Sequence, residues 1–240
     1  MTTLITVAAA KGGVGKTTLA YELAASLNGC LVDLDWDAGG ATRMWGFDPS
    51  SRQRAPLLDG FEKGPDAPAP RPRRRPHQPL LVPSHPDLSA SRIDAELVAE
   101  CLIAWCPQLS PHYVVVDTHP GANPLTDGAI AAADLIVIPA VLGMREMTAL
   151  EQNLTELSHH RVLVVPTMVP SVPPRRLVDR LAAVAGGRVT VAPPISEHRW
   201  LRRRLRRAAV VSQPNPGVRL QIAAAEFRSV ATAIKEALDG

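Results

Sequence analysis

Residues 11–18 read Lys11-Gly12-Gly13-Val14-Gly15-Lys16-Thr17-Thr18. An apolar run at residues 4–9 precedes them and predicts a buried strand, and residues 17–27 that follow predict a helix. Glycines between a strand and a helix let backbone N–H groups turn inward around an anion, and the amino end of the helix adds positive potential. The eight residues therefore predict a phosphate-binding loop that holds a nucleotide.

Two side chains of this loop have specific predicted roles. Lys16 is expected to contact the β and γ phosphates of the nucleotide, because its ammonium follows the last glycine of the loop. The hydroxyl of Thr17 is expected to coordinate Mg²⁺. A nucleotide and Mg²⁺ are thus the predicted ligands.

Three aspartates follow predicted strands. Asp33 and Asp35 lie at the end of the apolar run 30–34, and Asp117 ends the run 113–117. Ligands of open α/β sheets bind at the carboxyl ends of the strands, so these acids are expected to converge on Lys16 and Thr17. Asp117 and Asp33 are predicted to hold Mg²⁺ through water. The competing interpretation is that each aspartate only caps the turn after its strand.

Further apolar runs at residues 135–139 and 161–165 alternate with helical segments such as 17–27 and 145–159. Nearly continuous apolar strands separated by helices are typical of a doubly wound α/β fold with a mostly parallel sheet. We predict a single domain over residues 1–240. Its exception is residues 49–86, where proline and arginine dominate and predict a long surface excursion with one strand at 80–82.

Composition narrows the class of protein. The chain has 240 residues, a formal charge of +3 and 46% hydrophobic residues, but no apolar run long enough to cross a membrane. Residues 1–10 lack a basic leader and read as a strand instead of a signal peptide, so we expect a soluble cytoplasmic protein. The cysteines Cys30, Cys101 and Cys106 form no CxxC pair and are interpreted as core or incidental residues.

The loop departs from the ordinary GxxxxGK[ST] pattern, since Ala10 holds the first position and a second lysine, Lys11, precedes the glycine pair. The pattern KGGxGK[ST] resembles the deviant Walker A box of the ParA/MinD group of ATPases. The likeness is strong over residues 2–47 and 112–142, weaker at 165–168 and absent from the proline-rich stretch. It implies a homodimer with two ATP molecules between the subunits, in which Lys11 reaches the partner's nucleotide and takes part in catalysis with Lys16.

The segment after the second strand resembles the ParA motif DLDPQGNAT. This resemblance implies that Asp35 is the catalytic acid that orients or activates the attacking water. Here Trp36-Asp37 replaces the Pro-Gln pair, with one residue inserted before Gly39-Gly40. His119-Pro120-Gly121 stands where the family has Pro-Pro-Ser. His119 is interpreted either as a modifier of this switch or as a spectator.

Residues 198–207 read His-Arg-Trp-Leu-Arg-Arg-Arg-Leu-Arg-Arg and predict a short helix. Its apolar positions 201, 205 and 208 would face the sheet, and no acid follows Glu197 in the segment. In ParA-like partition ATPases the corresponding region binds DNA without sequence preference. The residues predicted here to contact DNA phosphates are Arg199, Arg202, Arg203 and Arg206. The alternatives are an unspecific basic surface or a patch for another anionic partner, and Arg71–Arg75 forms a second basic cluster.

We therefore predict a DNA-partition ATPase that binds nonspecific double-stranded DNA as an ATP dimer and is associated with the nucleoid. A ParB-like centromere-binding partner would stimulate its hydrolysis. No helix-turn-helix domain is expected before the phosphate loop. One alternative is a MinD-like ATPase that cycles on membranes, but residues 218–240 mix apolar and acidic residues and are interpreted as a packed helix, so no membrane partner is expected. A metabolic P-loop enzyme is the other alternative.

Overall fold

The computed structural model describes residues 1–37, 40–110, 112–187, 189–203 and 208–239, without the side chains of residues 202 and 203. Its strands form one parallel sheet in the order β3-β2-β4-β1-β5-β6-β7. The strands are β1 (Thr3–Val7), β2 (Cys30–Asp33), β3 (Leu80–Val82), β4 (Tyr113–Asp117), β5 (Leu135–Val141), β6 (Val162–Thr167) and β7 (Thr190–Val191). The predicted doubly wound α/β class is confirmed.

Helices cover both faces of this sheet. They are α1 (Lys16–Ser26), α2 (Ala41–Trp45), α3 (Leu57–Lys63), α4 (Ala95–Leu109), α5 (Pro124–Ala131), α6 (Met144–Glu156), α7 (Arg175–Ala185) and α8 (Val218–Asp239). Short 3₁₀ helices span Pro49–Arg54, Pro86–Ala90, Arg199–Arg203 and Val210–Ser212. None of the helices in the described part of the chain combines the length and apolar character that a membrane crossing needs.

The two faces of the sheet carry separate apolar cores. Alternate strand residues such as Ile5 and Val7 pack against α1 and α8 on one face. Other strand residues, such as Leu4 of β1 and Val116 of β4, point to the opposite face. On that face α3, α4 and α5 cover the β2-β4-β1 side, and α6 and α7 cover β5 and β6. Strands buried on both faces explain why their sequences are apolar throughout instead of alternating.

Helix α8 is the packed terminal helix that the sequence predicts. Phe227, Val230 and Ile234 are almost completely buried, and they pack in the same core as α1. The apolar side chains of α8 that could enter a membrane are thus largely used within the protein. Among its larger apolar residues, Val218 and Ile222 at the start of the helix are exposed.

The proline- and arginine-rich stretch 49–86 differs in part from the predicted surface excursion. The strand at residues 80–82 is present as β3. However, Leu57 and Phe61 of α3 are fully buried, and the Phe61 ring lies 5.1 Å from the Trp105 ring of α4. The prediction is wrong for α3, because two apolar residues four positions apart suffice to dock one short helix even where the surrounding composition is polar.

The basic cluster within this stretch, residues 71–75, is exposed but fixed to the sheet edge. The backbone of Arg73 exchanges two hydrogen bonds with Leu81 of β3. The guanidinium of Arg75 lies 4.5 Å above the Trp45 ring and donates to the Gly46 carbonyl at 3.0 Å. Arg75 is therefore held by a cation–π contact at the end of α2.

Candidate nucleotide site

The phosphate loop runs from the end of β1 to the start of α1, as the sequence predicts. Gly13 and Gly15 have φ angles of 82° and 88°, a left-handed conformation that costs any other residue roughly 1–2 kcal/mol. No side chain caps the amino terminus of α1, where Gly15 is the N-cap. The first amides of the helix are consequently available to an anion.

Lys16, the first residue of α1, turns into the protein at the end of the sheet. Its side chain is only 5% exposed, and Nζ lies 2.7 Å from Asp117 Oδ1. Nζ also donates to the Thr118 carbonyl. An ammonium has three N–H donors, so these two partners leave one for a ligand in the cavity above.

Asp33 and Asp117 lie side by side because β2 and β4 are adjacent and pair these two residues in register. Both are fully buried. Burial and the neighbouring Asp117 carboxylate raise the pKa of Asp33 from 3.8 to about 7. Burial also raises the pKa of Asp117, against the opposing effect of Lys16. The structure thus brings two of the three predicted strand-end acids together.

Asp33 also has a structural role in this arrangement. It accepts hydrogen bonds from the backbone N–H of Asp35 at 3.0 Å and of Thr42 at 2.6 Å. Thr42 belongs to the first turn of α2, so Asp33 caps the turn that leads from β2 into this helix. The turn-capping interpretation therefore describes part of what Asp33 does, and its predicted contact with Mg²⁺ through water stays a prediction.

The residues around Asp117 suit a hydrated divalent cation. Asp117 Oδ2 is buried and has no hydrogen-bond partner among the described residues. The Thr17 hydroxyl lies close enough to lower the pKa of this carboxyl. A buried carboxylate oxygen beside a hydroxyl offers the hard oxygen ligands that Mg²⁺ prefers.

A cavity of about 360 Å³ lies beside the phosphate loop. Lys11, Lys16, Thr17 and Asp35 line its phosphate-loop side. Asp35 is 8% exposed and is held by a hydrogen bond that its Oδ1 accepts from the Asp37 N–H at 3.1 Å. Lys11 is exposed on the loop. The structure thus brings the predicted residues Lys11, Lys16 and Asp35 to the wall of one cavity.

The opposite wall comes from residues that the sequence did not single out as ligands. Its apolar members are Met168 after β6, Ile195, Leu201 and Phe227. The Thr167 hydroxyl of β6 donates to the Val14 carbonyl at 2.9 Å and so ties this wall to the phosphate loop. The only sequence signal for this wall was the weaker family likeness at residues 165–168.

The arginine-rich segment begins at the same wall. His198 and Leu201 line the cavity, and Leu201 also packs against the core, as its predicted inward position requires. Backbone residues Arg199–Arg203 form a 3₁₀ helix in place of the start of the predicted helix. The Arg199 side chain is 87% exposed and lies 3.4 Å from Glu197 Oε1. The side chains of Arg202 and Arg203, and all of Leu205 and Arg206, lie outside the described part of the structure.

Glu226, which lies on the distant helix α8, contacts the residues at the start of this segment. Glu226 of α8 lies 2.7 Å from His198 Nε2, and it accepts hydrogen bonds from both the backbone N–H and the hydroxyl of Ser196. The segment is therefore less uniformly basic than its own sequence suggests. Glu226 holds the residues that join the cavity to the arginines.

The titration of Asp33 gives a testable pH dependence. Its pKa is raised on folding, so the folded chain keeps a proton that the unfolded chain loses, and stability falls as pH rises from about 4 to about 7. We expect Asp33→Asn to remove this pH dependence of stability. In denaturant titrations without nucleotide, we compare the free energies of unfolding of the two proteins. The value for the variant minus that for the wild type should increase over this pH range, by roughly 4 kcal/mol at most. Asp179→Asn, an exposed change on α7, is the control, and a constant difference between wild type and Asp33→Asn would contradict the assignment.

The parallel sheet and the strand–glycine loop–helix unit with its buried lysine and aspartates define a P-loop ATPase of the α/β class. Comparison with known proteins agrees. A family model described as an AAA domain matches residues 2–163. The chromosome-partitioning ATPase Soj of Thermus thermophilus is 30% identical over 207 residues, covering 80% of this chain and 73% of that protein. The chain therefore belongs to the ParA family of partition ATPases, and it is an ATPase.

Solved structures share the whole fold at lower identity. McdA of Cyanothece, in a complex of a variant with ATP, gives a TM-score of 0.75 at 21% identity, covering 99% of this chain and 96% of that one. The cell division ATPase MinD of Pyrococcus furiosus gives 0.74 at 16% identity, covering 98% and 99%. Because the same fold serves differently named ATPases, the function within the family has to be argued from the site.

Proposed function

We propose that this chain is a DNA-partition ATPase whose ATP-bound homodimer binds DNA without sequence preference and is released by hydrolysis. One observation carries the proposal: the cavity beside the phosphate loop is also lined by His198 and Leu201, which begin the arginine-rich segment. A nucleotide in this cavity would contact the loop at one end and this segment at the other. ATP occupancy can therefore bias the position of the arginines.

The nucleotide is assigned to this cavity by charge and polarity. Its phosphates would lie on the free amides of the loop and the α1 terminus, with Lys16 on the β and γ phosphates. Its base would lie toward the apolar side chains of Ile195, Leu201 and Phe227. The loop residues Lys11, Gly12, Gly13, Val14, Gly15, Lys16, Thr17 and Thr18 are assigned to nucleotide binding.

Mg²⁺ would be held by Thr17 directly and by Asp117 and Asp33 through water, consistent with the unpaired Oδ2 of Asp117. When bound, the ion would neutralise charge on the β and γ phosphates. Asp35 would orient the attacking water, since its carboxylate lines the cavity beside Lys16 and Thr17 while its neighbour Asp33 is occupied with backbone N–H groups. The chemistry therefore rests on positioning and charge.

Lys11 couples this chemistry to association. It is exposed at the rim of the cavity, where its ammonium can reach a nucleotide held by a second copy of the chain. A cation placed across an interface favours association while the γ-phosphate is present, and loses its partner when hydrolysis removes that charge. A ParB-like protein would stimulate hydrolysis, and the ATP dimer would be associated with the nucleoid.

The membrane-cycling alternative finds less support in the structure, and the metabolic alternative is separated by experiment. A MinD-like membrane cycle would need a free apolar face on an amphipathic helix, and in α8 the residues Phe227, Val230 and Ile234 are buried in the core. A metabolic P-loop enzyme would be recognised by turnover with small acids instead of DNA-stimulated, ATP-dependent dimerisation.

The proposal is tested by sedimentation with ATP, ADP or no nucleotide, each with and without random-sequence duplex DNA. We expect a dimer with ATP alone and a DNA complex only with ATP. The variant Arg202→Ala/Arg203→Ala removes four cations from a dimer. The slope of log DNA affinity against log salt concentration should therefore become shallower by up to roughly 3.6. Random-sequence and centromere-like duplexes should lose affinity equally, because phosphate contacts carry no sequence information.

The matched control for this variant is Arg175→Ala/Arg176→Ala, which removes the same charge from exposed positions at the start of α7. It should keep the wild-type salt slope, and both variants should keep ATP binding. If both double variants reduce the salt dependence of log DNA affinity by the same amount, DNA binding depends on the overall charge of the protein and not on these particular arginines. An unchanged slope in Arg202→Ala/Arg203→Ala would move the DNA surface to the cluster at residues 71–75 or remove DNA from the mechanism.

A further inference from the structure

The two places where this chain departs from the ParA pattern lie against each other. Trp36-Asp37 follows β2, and His119 follows β4. The rings of Trp36 and His119 stack with centroids 4.0 Å apart and planes within 5°. His119 Nε2 lies 3.4 Å from Asp37 Oδ2. The stacking fixes the plane of the imidazole and directs its Nε2 edge toward the carboxylate.

The hydrogen bond at the other ring nitrogen fixes the tautomer of His119. Nδ1 lies 2.8 Å from the Pro120 carbonyl oxygen. A carbonyl oxygen only accepts hydrogen bonds, so Nδ1 carries the hydrogen. In a neutral ring Nε2 then presents a lone pair to the Asp37 carboxylate, an arrangement that is repulsive unless a cation lies between them. A metal ion bound to both atoms would remove this repulsion.

We propose that Asp35, Asp37 and His119 form a binding site for a divalent transition metal such as Zn²⁺. One ligand atom of each residue lies within 4.8 Å of the others. Tetrahedral bonds of about 2.1 Å place two ligand atoms about 3.4 Å apart, as His119 Nε2 and Asp37 Oδ2 already are. Two carboxylates and a neutral imidazole match the charge of a divalent ion.

The ligand set distinguishes this site from the Mg²⁺ site at Thr17 and Asp117. An imidazole nitrogen suits zinc and its neighbours in the transition series, whereas Mg²⁺ takes oxygen ligands. An N–H donated from the second ring nitrogen to a backbone carbonyl is the usual support of a metal-binding histidine. Asp35 is mostly buried, His119 is 24% exposed and Asp37 is 67% exposed, so the site is open to solvent on one side.

A metal bound here would act on hydrolysis through Asp35. This consequence rests on the proposed function, in which Asp35 orients the attacking water. A cation bound to one oxygen of the Asp35 carboxylate takes up a lone pair and withdraws negative charge, so the carboxylate becomes a weaker hydrogen-bond acceptor for that water. The site would therefore make ATP turnover sensitive to transition metals while leaving the phosphate loop, Lys16 and Thr17 untouched.

The test is titration of the nucleotide-free protein with Co²⁺, which substitutes for Zn²⁺ and gains visible absorption when its coordination falls below six. We expect one such Co²⁺ per chain in the wild type, displaced by Zn²⁺. His119→Ala and Asp37→Asn should each weaken binding by more than about tenfold, since even removing a supporting contact costs 10–100-fold. His159→Ala, which removes an exposed histidine elsewhere, should bind Co²⁺ like the wild type.

If the wild-type protein forms no absorbing Co²⁺ complex, the site is overturned. Wild-type affinity for Co²⁺ in His119→Ala or in Asp37→Asn would overturn the site as well. In a second measurement, Zn²⁺ added to saturating Mg²⁺ and ATP should slow phosphate release in the wild type and not in His119→Ala. Equal slowing in both would overturn the link to hydrolysis. The Co²⁺ titration contains neither ATP nor DNA, so its outcome is independent of the proposed partition function.

Discussion

Replacing Lys16 with alanine is expected to abolish ATP binding and to reduce hydrolysis by at least about 100-fold, the effect of losing one positioned donor on a developing charge. Lys16 is assigned to the β and γ phosphates, and no other lysine lies at the start of α1. Isothermal titration with ATP and phosphate release would measure the two effects. Lys63→Ala, an exposed change at the end of α3, is the control and should behave like the wild type.

The same substitution should destabilise the protein, because Lys16 is ion-paired with the buried Asp117 carboxylate, beside which β2 places the buried Asp33. Removing one partner of a buried pair costs roughly 3–5 kcal/mol. Lys16→Gln separates the two consequences. Its amide can still donate to Asp117 and restore part of the stability, but it carries no charge for the phosphates. If Lys16→Gln, or a folded Lys16→Ala protein, kept wild-type ATP affinity and turnover, the assignment of Lys16 would be wrong.

The second large effect is expected at Asp35 and Lys11, which should separate chemistry from association. Asp35→Ala should bind ATP and form the dimer but hydrolyse ATP at least about 100-fold more slowly, because the water-orienting carboxylate is lost. Lys11→Ala should keep the fold, since Lys11 is exposed and such surface changes usually stay within about 0.5 kcal/mol. It should nevertheless lose ATP-driven dimerisation and, with it, hydrolysis.

Sedimentation with ATP and phosphate release, measured on the same samples, distinguish these two phenotypes. Asp179→Ala and Lys63→Ala remove the same charges from exposed positions and should leave both readings unchanged. Wild-type turnover in Asp35→Ala would show that another group positions the water. A Lys11→Ala protein that dimerises normally with ATP would place Lys11 outside the interface.

Much of the site could be predicted because its residues are close to the motif in sequence or lie at strand ends. The glycines at 13 and 15 were recognised from spacing, and their positive φ angles give the physical reason. Asp33 and Asp117 are 84 positions apart by residue number, yet each ends an apolar strand. Parallel strands present their carboxyl ends at one edge, so that local signal was enough to bring the two acids together.

Other features had no local signal. The two-residue strand β7 is too short and exposed to produce an apolar run. The burial of Leu57 and Phe61 depends on the distant Trp105 of α4. Glu226 meets His198 only because α8 packs beside the cavity. Each of these contacts depends on which elements become neighbours, and hydrophobic periodicity shows which face of an element is buried without showing its partner.

The sequence by itself determined that a phosphate loop lies between a buried strand and a helix in a parallel sheet, because glycine conformation, charge and apolar runs are local properties of the chain. Only the tertiary structure decided which side chains close the nucleotide cavity and that the arginine-rich segment begins at its wall. It alone brought His119 onto Trp36 and Asp37. These contacts join elements far apart in the chain, and they exist because β4 inserts between β2 and β1 and α8 returns to pack beside α1.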